Sequence, residues 1–154
     1  MFLESILAFL HLSAILMMVV FVTSEAALCR TEWLNADVLK RLARVDVLYG
    51  LSALCVLLTG FVRMVWGAKG FDWYLAQPML HAKITFFVLM AVIAVPASIA
   101  IRRWARVWDR TGQLPPSRDV RKIRRLIMIG SHLMMVIPLF AVFLARGVFS
   151  VPPP

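Results

Sequence analysis

The sequence predicts an all-α membrane protein, a four-helix transmembrane bundle forming one domain over residues 1–154, and three observations carry that reading. Hydrophobic residues make up 62% of the 154 and charged residues 16%, against about 45–50% and about 25% in a soluble domain, and mean hydropathy is +0.84. Four apolar stretches, Leu3–Ala27, Val45–Gly67, Pro78–Ile101 and Leu126–Ala145, are each close to the ~20 residues a helix needs to cross the hydrocarbon core. Basic residues crowd alternate connections between them. These features exclude a disordered chain, a disulfide-stapled secreted domain and an ordinary cytosolic enzyme.

The first stretch is expected to stay as a helix rather than be cleaved as a signal peptide. It lacks a basic leader, its apolar run is too long, and basic residues follow it. Glu4, His11, Met18 and Glu25 recur every seven residues along it, a drift of only ~20° per step, so they form one stripe flanked by Ala8 and Ala14. The second stretch collects Asp46, Tyr49, Gly50, Ala53, Gly60, Arg63 and Gly67 within an arc of roughly 140°, which is expected to face protein. The third opens at Gln77-Pro78, a helix-start signal. It sets His81 and Thr85 on one face with Val88 and Val92, and places Lys83 away from that face, where its long stem can reach the outer interface. Pro96 and Pro138 predict kinks in the third and fourth helices. His132 shares a face with Met128 and Met135.

The loop after the first span holds Arg30, Lys40, Arg41 and Arg44, and the loop before the fourth holds Arg102, Arg103, Arg106, Arg110, Arg118, Arg121, Lys122, Arg124 and Arg125. Together they carry most of the 17 basic residues. Positive-inside then puts both loops in the cytoplasm and both termini outside. Anionic lipid is the expected partner of the longer basic loop, where Trp104 and Trp108 are interleaved, and nucleic acid is not expected. Cys29 and Cys55 differ in depth by roughly 15 Å and are expected to be free thiols. The Val-Pro-Pro-Pro tail reads as extended and frayed.

All three histidines, His11, His81 and His132, fall inside or at the edge of spans, where an imidazole is costly unless bonded or ligated. A pair of imidazoles on facing helices is how a bundle holds haem b. His11 and His81 are the candidate axial pair, and Arg63 and Lys83, with Lys69 nearby, are candidates to neutralise propionates. Trp66, Trp73 and Tyr74 are expected to belt the opening. A difference in depth between His11 and His81 must be absorbed by tilt or by an earlier start of the third helix through Trp73–Gln77. The plainer reading of each histidine is an interhelical hydrogen bond, and of Glu25, Arg30, Arg44 and Asp46 a charge network at the inner ends, although a carboxylate at that depth can also carry protons.

The residues Phe9-Leu10-His11, Arg44 to Gly50, Thr59-Gly60-Phe61-Val62-Arg63, Trp66 to Gly70 and Ile137-Pro138-Leu139 resemble an uncharacterised bacterial family of four-helix inner-membrane proteins, over essentially the whole chain. Two short segments, Phe9–His11 and Leu80-His81-Ala82-Lys83, are similar to HemJ-type protoporphyrinogen oxidases and to the copper-resistance D membrane domain. That similarity implies haem b, with His11 as ligand and Lys83 as a site residue. The expected function is a small haem-b protein of electron transfer or porphyrin oxidation, a candidate haem-dependent membrane oxidoreductase. A cofactor-free scaffold or accessory subunit and a copper transporter are the alternatives. A homo-oligomer or larger complex is expected, because four short helices enclose little space for a large cofactor.

Overall fold

A computed structural model describes residues 2–67 and 70–151. The helices are α1 (Phe2–Leu28), α2 (Ala36–Trp66), α3 (Phe71–Leu75), α4 (Pro78–Thr111) and α5 (Ser117–Ala145). All but α3 are long and apolar enough to cross a membrane. Three of them outrun the expected spans at one end: α2 starts at Ala36 rather than Val45, α4 continues past Ile101 to Thr111, and α5 starts at Ser117 rather than Leu126. Leu39, Leu42, Trp104, Val120 and Ile123 explain this, because they are buried and extend the core beyond the lipid-length segments. Helical pairing therefore continues in the basic end of the molecule, where arginines occupy the surface.

The ends are set by local chemistry. Asn35 caps α2, its side chain accepting from the Val38 amide at 2.9 Å, and Pro78 opens α4 where its missing N–H costs nothing. Gly112 closes α4 in the left-handed conformation, φ 66°, which a side chain rarely adopts. Both α4 and α5 remain helical through Pro96 and Pro138. The described stretch between α2 and α4 holds α3, a short helix separated from α4 by the extended Gln77, so the third long helix does not begin earlier through Trp73.

Successive long helices run antiparallel, as the side-chain contacts require. His11 near the start of α1 meets Thr59 near the end of α2, Asp46 of early α2 meets Ser98 and Arg102 of late α4, and Cys29 after α1 approaches the Val120 carbonyl of early α5. Helix α1 packs chiefly on α2 and α4 chiefly on α5, with α2–α4 and α1–α5 contacts closing the bundle. The buried side of α1 is His11, Ala14, Met18, Val22 and Glu25, the stripe expected from spacing by sevens.

Other faces differ from expectation. Gly50 is exposed, and nothing lies within 4 Å of where a Cβ would be, so the inward arc of α2 is narrower than the sequence suggests. On α4, His81, Thr85, Val88 and Val92 are all exposed, and the bundle is met instead by Leu80, Met90, Ala97, Ile101 and Trp104. The face chosen for His81 therefore points outward. His132, Met128 and Met135 are likewise exposed, while Ile127, Gly130 and Met134 face in. The start of the tail is anchored: Gln77, 1% exposed, donates to the Val151 carbonyl at 3.0 Å and accepts from the Val151 amide at 3.2 Å. Pro152, Pro153 and Pro154 lie outside the described residues.

Candidate functional site

Two polar groups of side chains occupy opposite ends of the interior, separated by the apolar middle of the bundle around Met18, Val56 and Met90. The first centres on His11. Its Nδ1 lies 2.9 Å from the Thr59 hydroxyl. Thr59 in turn donates to the Cys55 carbonyl at 2.6 Å, the back-bond a helical threonine commonly makes. With that proton committed, Thr59 acts as acceptor and His11 donates from Nδ1, which leaves the lone pair on Nε2. Gly60 lets the ring come this close, since a Cβ there would lie 3.2 Å from His11 Cε1.

Arg63 on α2 and Lys83 on α4 both act electrostatically on the His11 ring and on each other. Both are half-buried. Among the described residues neither has a salt bridge; the ion pair recorded there is Arg102–Asp46. Two cations without a salt bridge among the described residues, beside an imidazole whose Nδ1 is already bonded, form a field suited to an anion. Lys69, also expected here, lies outside the described residues.

His81 does not join this group. It is exposed, and its Nε2 donates to the Leu75 carbonyl at 2.8 Å across the α3–α4 turn. His132 is exposed as well, with Nδ1 donating to the Met128 carbonyl one turn earlier at 2.6 Å. Trp66 is exposed, while Trp73 and Tyr74 are half-buried and meet edge-on, with centroids 5.1 Å apart. No group of three or more metal-ligating His, Cys, Asp or Glu side chains occurs among the described residues.

A histidine that donates from one nitrogen to a fixed acceptor and keeps the other free is the form that ligates iron, so the donor set suits haem. The packing restricts where a macrocycle could lie. His11 is 5% exposed, and the enclosed cavity between the long helices lies at the other end, with space for a water molecule rather than a tetrapyrrole. Buried as it is, the His11 ring does not present itself to a macrocycle lying on the bundle surface.

The second group lies toward the basic end. Asp46, 1% exposed, accepts from Arg102 Nε at 3.1 Å and from the Ser98 hydroxyl. Glu25 and Tyr49 are buried beside it. Beyond α1, the buried Cys29 thiol is pushed up to about 11, first by burial and then, in the alkaline range where it ionises, by the neighbouring Glu25 carboxylate. Sequence reasoning did not single out Thr59 or Ser98. Each is a half-buried hydroxyl among mostly apolar neighbours in its helix, where the sequence alone does not separate a site residue from a packing one.

A family model described as "Predicted membrane protein (DUF2214)" matches residues 3–149. No curated protein matches the chain, and no solved structure does.

Proposed function

The chain belongs to the DUF2214 family of predicted membrane proteins, and from its side-chain geometry we propose that it binds an anionic amphiphile at the His11–Arg63–Lys83 site. The observation that carries this reading is that Arg63 and Lys83, half-buried on two helices, have no carboxylate paired to either among the described residues. Burying two like charges together is unfavourable unless a counter-charge joins them. Two sources offer that charge: the propionates of a porphyrin and the phosphate of a lipid.

In the porphyrin form, the ligand is haem b and the protein serves electron transfer or porphyrin oxidation. His11 Nε2 would hold the iron, Thr59 would keep the ring in the ligating tautomer, and Arg63 and Lys83 would hold the propionates. Haem would supply the redox chemistry. With His11 5% exposed, the iron would reach Nε2 only where the helices around it part, and a second copy of the chain would then cover the macrocycle, so a homo-oligomer belongs to this reading. His81 has no part in it. The setting is a bacterial inner membrane with the basic loops in the cytoplasm on anionic lipid.

A cofactor-free scaffold is the second reading, supported by the bond from His11 to Thr59, which satisfies one ring nitrogen within the chain. Native mass spectrometry and the visible spectrum of the detergent-purified protein separate the possibilities. A Soret band with a bound tetrapyrrole mass supports the porphyrin form. A retained phospholipid that Arg63→Gln/Lys83→Gln loses supports the lipid form. A colourless, ligand-free protein supports the scaffold and overturns the anion site.

A further inference from the structure

At the basic end of the bundle, away from His11, Glu25 faces the enclosed cavity that α1, α2, α4 and α5 line with Val22, Tyr49, Ala97, Ser98, Ile127 and Gly130. Glu25 is 3% exposed, and its Oε1 has no hydrogen-bond partner. Among the described residues no salt bridge reaches it, and the Arg30 and Arg124 Nε atoms, also buried without a hydrogen-bond partner, are not bonded to it. The charge that acts on it is Asp46, another acid, and Asp46 is already bonded to Arg102 and Ser98. The remaining groups nearby are Tyr49 on α2 and, one turn further along, Cys29 after α1. From α5 the cavity is lined by apolar residues and Gly130, while Arg124 acts on Cys29.

We propose that Glu25 is an exchangeable proton site, holding a proton on its buried carboxyl while Asp46 stays ionised against Arg102. Two acids this close in a medium that poorly solvates charge cannot both be carboxylates unless each has its own cation. Arg102 is bonded to Asp46, and among the described residues no salt bridge reaches Glu25. The orphaned Oε1 then has a role as the O–H that donates into the cavity, whose size suits one water.

The way out is also defined. Arg102 is 58% exposed at its side chain, so the Asp46 end of the cluster reaches the surface. In exchange, the O–H bond of Glu25 breaks as an O–H bond forms on the cavity water or on Asp46. Asp46, itself 1% exposed, returns to carboxylate when water reaching in along the exposed Arg102 side chain takes the proton. Glu25 is refilled by the reverse path, so no charge is left stranded.

Infrared spectroscopy of the full-length protein in liposomes tests this. The expected result is a carboxylic-acid C=O band at neutral pH that is absent in Glu25→Gln, shifts in D2O, and fades on alkaline titration. Asp46→Asn, which removes the neighbouring charge but keeps the shape, should move that fading to lower pH. Absence of the band, its survival in Glu25→Gln, or a band insensitive to D2O overturns the proposal. So does loss of the band on adding sodium at fixed pH, which would identify a cation site instead.

Discussion

The His11 ring donates to the Thr59 hydroxyl across the α1–α2 seam, and the Thr59 hydroxyl donates in turn to the Cys55 carbonyl. This chain of bonds sets the histidine tautomer from the protein side. Thr59→Val preserves shape while deleting the acceptor, and leaves the buried Nδ1–H without a partner. It should cost about 1–3 kcal/mol of stability. Nitrogen-15 NMR of the imidazole should show the proton no longer confined to Nδ1, and an unchanged tautomer would remove Thr59 from this role.

Two glycines on α2 provide a matched comparison. At Gly50 an added methyl meets nothing within 4 Å, whereas at Gly60 it meets the His11 ring at 3.2 Å. Gly50→Ala should leave stability unchanged or raise it by up to about 1 kcal/mol, the difference in helix propensity. Gly60→Ala should lose that gain and displace the ring. Unfolding in mixed detergent reads the stability, and the His11 NMR signal reads the displacement.

The Asp46–Arg102 pair is asymmetric, with Asp46 buried and Arg102 largely exposed. Arg102→Gln strands a buried carboxylate and should cost about 2 kcal/mol. Asp46→Asn leaves an arginine that water can solvate and should cost less. Equal costs would show that burial does not govern this pair.

Cys29 is buried and its thiol is pushed up to about 11. A water-soluble maleimide at pH ~8 should therefore leave it unlabelled in folded Cys55→Ser protein and label it after denaturation, because the thiolate is the reactive form. Between the ordinary value of 9.0 and about 11, rising pH should favour unfolding, since the exposed thiol of the unfolded chain ionises first. Rapid native labelling would contradict both statements.

Much of the frame was legible in the sequence. The seven-residue spacing of His11, Met18 and Glu25 identified the inward stripe of α1, because polar residues in lipid must face protein. That logic failed on α4, where His81 and Lys83 are both polar and lie near the membrane end. At such a depth either side chain can reach water, so the histidine could face outward and the lysine inward. The helix ends were hidden for a different reason. Hydropathy reports the lipid-crossing length, whereas Leu39, Trp104 and Val120 continue the helical core beyond it. Thr59 gave no signal, since a threonine beside a glycine has many uses in a membrane helix.

Orientation follows from the basic loops. An alkaline phosphatase fused after Ser150 should be active and a fluorescent protein fused there dark, if both termini face the outside. The reverse pattern would turn the His11 site toward the cytoplasm.

The His11–Arg63–Lys83 site is tested most directly by titrating the purified protein with haemin and following the Soret band. Wild type should give a saturable red shift, Arg63→Gln/Lys83→Gln should weaken binding by at least about tenfold, the loss of roughly one charge-assisted contact, and His11→Ala should abolish the shift. A wild-type titration identical to that of all the variants would contradict the assignment of this site to a carboxylate-bearing tetrapyrrole.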